Sequence, residues 1–421
     1  MSEFRSPMRT RDPFAPALVL LAIGVLISYV DRGILSVAAP QLKDELALSA
    51  SQLGILLAAF FWTYTAMQFV SGWLLDLFDA NLFIGAGFLL WSVATAGTGI
   101  VHGFVLLLVM RFLLGIGESA AFPCCSKILA RHLPEERRGF ANGLLMAGIR
   151  LGPAVGTFGA GPLIAKYGWR PVFIGIGLLS LLWLPAWFKW KPTHQSLAPE
   201  TKLGASIAAI FAQRSFWGAA VGHFSVNYVF YFMLTWLPYY LVYDRGLSMQ
   251  QMVRSAGIYY LTDATSAAVT GWVSDYCMRH GASATIVRKS AMAIGYCIAI
   301  VAIAGLALAG TRSYFAWLLA AGVGIGMMGV GVFAFAQTLA GARSAGKWTG
   351  LQNGFGNFAG IIGPALTGYV VDKTGSFIAP FAITLAVLAI GGAAWVFIIG
   401  RVEEIHWKQE SPVALIAASH D

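Results

Sequence analysis

Four strongly polar residues fall inside stretches otherwise apolar enough to cross a bilayer: Asp31 and Arg32 in the first, Arg111 and Glu118 in the fourth. Each such side chain costs roughly 2.5–3.5 kcal/mol at the centre of a spanning helix, even on lenient insertion scales. A chain keeps them where they pair, face a water-filled cavity or work on a substrate. Asp31 and Arg32 are neighbours, so on a helix they point about 100° apart and cannot both face one partner. Arg32 stays charged, and its planar fork suits two parallel hydrogen bonds to a carboxylate. Arg111 and Glu118 share a helix face two turns apart, about 10 Å along the axis. Arg111 is therefore expected to find its acid elsewhere, with Asp31 the natural candidate. Glu118 sits among Gly115, Gly117, Ser119 and Ala120, a setting for a carboxyl poised to gain and lose a proton. Two acids and two bases at this depth point to the proton-coupled movement of an anion.

A third buried cation, Arg150, lies in the fifth apolar stretch, and an acid, Asp263, in the eighth. Three outcomes would satisfy Arg150: a second acidic group on a substrate, a cross-cavity pair with Asp263, or a pair with Glu118. Uncharged polar groups complete the expected lining. Tyr29, Tyr64 and Gln68 stand on the first two stretches, and His223, Asn227, Tyr228 and Tyr231 share one face of the seventh. Gln352, Asn353 and Asn357 stand on the eleventh. Amides and phenols offer donors and acceptors without net charge, which is what a hydroxylated substrate needs. His223 is expected to be structural, and Tyr239, Tyr240 and Tyr243 to belong to an interfacial belt. Phe60, Phe61 and Trp62 leave an aromatic acid open as cargo.

The elements that must hold these groups are spanning helices. Of 421 residues, 58% are hydrophobic and 11% charged, against about 25% charged in a soluble domain. Twelve apolar segments are expected, at roughly 14–40, 50–76, 82–101, 104–130, 138–165, 169–189, 213–243, 250–275, 287–309, 312–340, 347–371 and 376–400. The fold expected is an all-α membrane protein of two pseudo-symmetric six-helix bundles. Residues 14–190 and 213–400 would form the bundles and 191–212 a cytoplasmic linker, with cytoplasmic tails at 1–13 and 401–421. With both termini inside, about 18 of the 28 Lys and Arg fall in cytoplasmic loops and about seven outside, the asymmetry that orients such proteins. The formal charge of +9 is spread over short loops, so it is no nucleic-acid signature. The four cysteines show neither a disulfide framework nor a metal-binding spacing. No nucleophile elbow or phosphate loop is present, which argues against an enzyme and against a cofactor.

The halves echo each other. Gly72-Trp73-Leu74-Leu75-Asp76 closes the second segment and Gly271-Trp272-Val273-Ser274-Asp275 the eighth. Gly152-Pro153-Ala154-Val155-Gly156 has its counterpart in Gly363-Pro364-Ala365-Leu366-Thr367-Gly368. Such spacing suits parallel repeats about an axis along the membrane normal, with the site between the halves near the midplane.

Together with Tyr29-Val30-Asp31-Arg32, the run from Arg111 to Pro123, Glu136-Arg137-Arg138-Gly139, Leu234-Thr235-Trp236-Leu237-Pro238 and the run from Gly350 to Pro364, these motifs resemble the major facilitator superfamily. The chain is most similar to its anion:cation symporters, which include carriers of galactonate, glucarate and hexuronate. The resemblance implies that Arg32 engages a substrate carboxylate and that Asp31 and Glu118 serve proton coupling, and Arg111, as the expected partner of an acid, is grouped with them. It also implies that Gly72, Asp76, Gly271 and Asp275 belong to gating motifs. The expected partners are a small organic anion, protons and the lipid bilayer of a bacterial inner membrane, with the monomer as the working unit. After Asp76 the chain departs from the superfamily pattern: Leu77-Phe78-Asp79-Ala80-Asn81 holds no Lys or Arg, whereas the second copy keeps Arg279 and Gly281.

Overall fold

The computed structural model describes residues 14–133, 135–192, 205–310, 313–405 and 407, and among them there is no strand. The first half holds α1 (Ala15–Glu45), α2 (Ala50–Leu77), α3 (Ala80–Ile100) and α4, in two pieces, Phe104–Ser119 and Ala121–His132. It continues with α5 (Glu135–Tyr167) and α6, again in two pieces, Trp169–Ser180 and Trp183–Trp190. The second half holds α7 (Arg214–Tyr239, prolonged by a π turn, Tyr240–Asp244), α8 (Met249–Arg279) and α9 (Ala284–Leu308). One helical run, Tyr314–Thr374, follows and is broken at Gly341, whose φ is 68°. We number its parts α10 (314–340) and α11 (342–374). The last rod, α12, is Ile378–Ala393 with the π turn Ala394–Ile398. Twelve rods thus match the twelve expected segments. The sequence predicts a short loop between the tenth and eleventh, and the structure has a single left-handed glycine instead. Of the expected linker, residues 193–204 lie outside the described residues, as do the tails 1–13 and 408–421.

Local sequence explains where the rods begin. Ser49 accepts from the Gln52 amide while Gln52 reaches back to the Ser49 amide, a reciprocal cap for α2. Ser248 and Gln251 repeat the device at α8. Each box satisfies two backbone donors that the first helical turn leaves bare. Asp79, in the loop that departs from the superfamily pattern, accepts from the amides of Asn81 and Leu82 and so starts α3.

Eight of the rods are apolar and long enough to cross a membrane by length and composition. The remaining four, α5, α7, α8 and α11, carry Arg150, His223, Asp263, Gln352 and Asn357 towards the interior, and that polar content is what lowers their hydropathy. Packing follows the repeat. In the first half α1 pairs with α5, α2 with α4 and α3 with α6; in the second, α7 pairs with α11, α8 with α10 and α9 with α12. Facing glycine pairs mark close approaches in both halves. A Cβ on Gly87 or Gly117 would lie 2.6–2.7 Å from the other's carbonyl oxygen across α3 and α4, and one on Gly295 or Gly324 2.9–3.0 Å across α9 and α10. Without a hydrophobic drive between helices in lipid, such small residues are what let backbones pack.

Contacts between halves run along α1–α7, α2–α11 and α5–α8. They reach from mid-depth to the end of the bundle opposite the termini. There Ser51 donates to Asp372 at 2.6 Å, Tyr243 donates to the carboxylate of Asp44, and the Lys43 ammonium lies 5.0 Å from the Tyr243 ring. Tyr239 stacks on Tyr243 at 4.5 Å. Of the tyrosines expected in an interfacial belt, Tyr239 and Tyr243 help seal the two halves together, because the α7 end turns inward against α1, while Tyr240 donates to the Leu306 carbonyl within its own half.

Candidate substrate and proton site

At mid-depth Arg32 reaches from α1 to α4 and meets Glu118. Its Nη2 donates to Glu118 Oε2 at 2.8 Å and its Nε to the same oxygen at 3.3 Å, while Ser28 Oγ donates to that oxygen at 3.1 Å. Both side chains are almost wholly enclosed, at 4% and 1% exposed. The pair is lopsided: Arg32 Nη1 and Glu118 Oε1 are buried with no hydrogen-bond partner. α4 breaks at Ala120, two residues beyond Glu118, so this carboxyl stands at a discontinuity of the helix. A buried ion pair costs several kcal/mol per ion to desolvate and repays that only with good geometry and full hydrogen bonding. Here the pair leaves two polar atoms unmet.

Rings surround the guanidinium. Its Cζ lies 4.4 Å from the centroid of Tyr29, 4.5 Å from Phe60, 5.1 Å from Tyr64 and 5.8 Å from Phe61. Tyr231, from α7 of the other half, packs on Phe61 at 4.4 Å. Aromatic faces hold a desolvated cation by their quadrupoles. Beside the cage lies a void of about 10 Å³, lined by Arg32, Ser36 and Arg111 of the first half and Leu234 and Thr235 of the second. That is room for about one water. Trp62 points elsewhere: it is 42% exposed and packs on Phe112.

The neighbouring charges do not pair as the sequence suggests. Arg111 was expected to meet Asp31. Instead Asp31 accepts from Thr95 on α3 at 3.1 Å, with its other oxygen unpartnered. The Arg111 guanidinium lies 5.1 Å from the Phe60 centroid, its Nε also unpartnered. The turn of about 100° between successive helix positions explains this: with Arg32 aimed at α4, Asp31 faces α3. Arg150 takes the second of its three expected outcomes, its Nη1 donating to both carboxylate oxygens of Asp263 at 3.1 Å across the halves.

The polar lining divides. Gln68 Oε1 accepts from Asn353 at 3.3 Å and from Asn357 at 3.4 Å, and Asn357 Oδ1 accepts from Tyr231 at 3.0 Å. This amide–phenol cluster bridges the halves beside the Arg32 cage. Gln352 is internal to the second half, accepting from Trp348 and donating to the Val332 carbonyl. Tyr228 is buried, and the nearest atoms to a Cβ on Gly363 of α11 would be in its ring. Asn227 is half-buried on the α7 face towards Gly356. His223 is buried with its Nδ1 unpartnered, its ring edge-on to Phe333. Of the gating motifs, the side chains of Gly72 and Asp76 lie outside the described residues. Gly271 approaches Val330 on α10, and Asp275 is exposed, its backbone carbonyl accepting from Arg279. Sequence reasoning did not single out Ser28, Ser36 or Thr95. Their signal is a hydroxyl on an apolar helix that also carries an ion, a pattern common enough to be uninformative until a partner is known.

Two bundles of six membrane helices, touching along a mid-depth site of paired ions and amides, define a membrane carrier. The profile of the Major Facilitator Superfamily matches residues 21–364, and the chain belongs to that superfamily. Its relatives narrow the class to organic-anion transporters. It is 31% identical to the hexuronate transporter of Bacillus subtilis over 89% of this chain and 92% of that one. It is 30% identical to a probable sulfoacetate transporter of Cupriavidus necator, covering 90% and 93% of the two chains. With a probable galactarate/D-glucarate transporter of Escherichia coli K12 it shares 28% identity, over 93% and 96%. Among solved structures, a bacterial homologue of the human lysosomal transporter Spinster, inward-facing and occupied, superposes with a TM-score of 0.76 at 18% identity, covering 92% of this chain and 97% of that one. That likeness is one of fold.

Proposed function

We propose that the protein imports a small organic anion of the sugar-acid class together with protons, by alternating access of the units 14–190 and 213–400, with both termini in the cytoplasm of a bacterial cell. The observation that carries this reading is the Arg32–Glu118 pair, in which one carboxylate already occupies the anion-binding fork yet leaves Arg32 Nη1 and Glu118 Oε1 unmet. A substrate carboxylate that meets both Arg32 nitrogens displaces Glu118. In so dry a site the displaced carboxylate is costly unless it takes a proton. Substrate and proton therefore bind together. Asp31, held by Thr95, is the neighbouring acid for a second proton, and the unpaired Arg111 balances its charge. Gln68, Tyr231, Asn353 and Asn357 supply the donors and acceptors for hydroxyls. The void of about 10 Å³ is smaller than any such acid, so the aromatic rings and the facing halves move aside when cargo enters. Relatives named for hexuronate, galactarate and galactonate support the cargo class.

Uptake into proteoliposomes tests the reading, with labelled glucuronate, galactonate, galactarate and sulfoacetate offered in turn, with and without an inward proton gradient. Accumulation of at least one sugar acid, abolished by a protonophore, is the expected result. Net uptake that ignores both the gradient and the protonophore would remove protons from the cycle. Exclusive transport of sulfoacetate would remove the sugar acid.

A further inference from the structure

Arg150 does more in this structure than neutralise Asp263. Its side chain leaves α5 of the first half and meets three residues of the second. Asp263 on α8 takes Nη1 through both carboxylate oxygens, and the Phe230 ring of α7 lies 5.2 Å from the guanidinium. The third wall is Gly329 on α10, where a Cβ would coincide with Arg150 Nη2. The recess is thus shaped for a guanidinium and available only because residue 329 has no side chain. Further along the same two helices the contact continues towards the end opposite the termini. A Cβ on Gly257 would meet the Phe158 ring, and one on Gly161 would meet Val253. The facing pairs 150/263, 158/257 and 161/253 keep an almost constant register, as two antiparallel rods in continuous contact must. Arg150–Asp263 is, among the described residues, the ion pair that crosses between halves along that contact.

We infer that Arg150 is a positioning residue for the transport cycle: seated in the Asp263–Phe230–Gly329 socket, it pins α5 to α8 and holds the far end of the carrier shut. It acts on the balance between conformations, and Arg32 remains the residue that meets the anion. Charge-assisted bonds of this kind lose most of their worth when the two partners part, and leave a lone buried charge on each side. Opening the far end therefore requires Arg150 to leave its socket.

The test needs no substrate, so it stands or falls separately from the proposed cargo and coupling. A cysteine is placed at Ala50, a buried residue whose carbonyl a Cβ on Gly368 would touch at the sealed far end. Its reaction with a maleimide is timed in purified, monodisperse protein, with the rate of the native cysteines subtracted. Two variants are compared with the parent. Arg150→Gln combined with Asp263→Asn removes both charges and strands neither. Gly329→Ala keeps both charges and closes the socket. Each is expected to raise the labelling rate about tenfold or more, the weight of a charge-assisted bond. A rate within about twofold of the parent in the double variant overturns the latch. The same result in Gly329→Ala alone overturns the socket as its mechanism. If the double variant does not fold, Arg150→Lys, which keeps the charge and loses the fork, replaces it under the same criterion.

Discussion

Arg32→Lys is expected to cut uptake by about 10- to 150-fold while the protein still inserts and purifies, the range set by the loss of about 1.5–3 kcal/mol of charge-assisted bonding. Lysine keeps the positive charge but presents a point donor in place of a planar fork. It also fits the ring cage poorly, because the broad guanidinium fills a space 4.4–5.1 Å from three aromatic rings that a compact ammonium does not. The effect should fall on affinity and turnover together, since on the proposed reading the same fork holds the cargo and is released from Glu118 to do so. Initial-rate uptake into proteoliposomes measures it. Uptake by Arg32→Lys within a few-fold of the parent would remove Arg32 from the anion site.

Glu118→Gln should separate binding from driving force. The amide copies the size and hydrogen-bonding reach of a protonated carboxyl, so Arg32 no longer faces a competing anion. Counterflow of bound cargo is expected to survive within a few-fold and to lose its dependence on pH, because on the proposed reading the residue that trades a proton for the substrate is gone. Accumulation driven by a pH gradient should fall to background. These are measured on the same proteoliposomes with the gradient imposed or collapsed. Should Glu118→Gln still concentrate cargo against its gradient, the essential proton rides elsewhere, and Asp31, with its unpartnered oxygen, is where to look.

The rods and their repeat were legible because hydropathy and motif spacing are one-dimensional. What stayed hidden was helix rotation and the choice of partner. Asp31 and Arg32 had to diverge, yet nothing in the order of residues said which would turn to α4; the structure gives that face to Arg32, and Arg111 loses its expected acid. Gln352 and Asn353 are adjacent amides, and only the packing of α11 sends the first to Trp348 and the second to Gln68. The contact of Tyr239 and Tyr243 with α1 was hidden for the same reason, their position at a helix end saying nothing of which way that end leans. One signal was present and unread. Ser49–Gln52 and Ser248–Gln251 are 199 positions apart, the same offset that separates Gly72 from Gly271 and Asp76 from Asp275. Helices α2 and α8 therefore match from cap to closing motif, with no insertion between.

Three arginines and three acids stand at mid-depth: Arg32, Arg111 and Arg150 against Asp31, Glu118 and Asp263. With ordinary charges they sum to zero. Moving one elementary charge through a potential of 100 mV is worth about 2.3 kcal/mol, but a core with no net charge presents nothing for that field to pull. A monoanion entering with one proton, or a dianion with two, keeps the sum at zero. If the proposed cycle runs with that matching, the voltage across the membrane does no net work on it, and the chemical gradients of cargo and proton set the direction of travel.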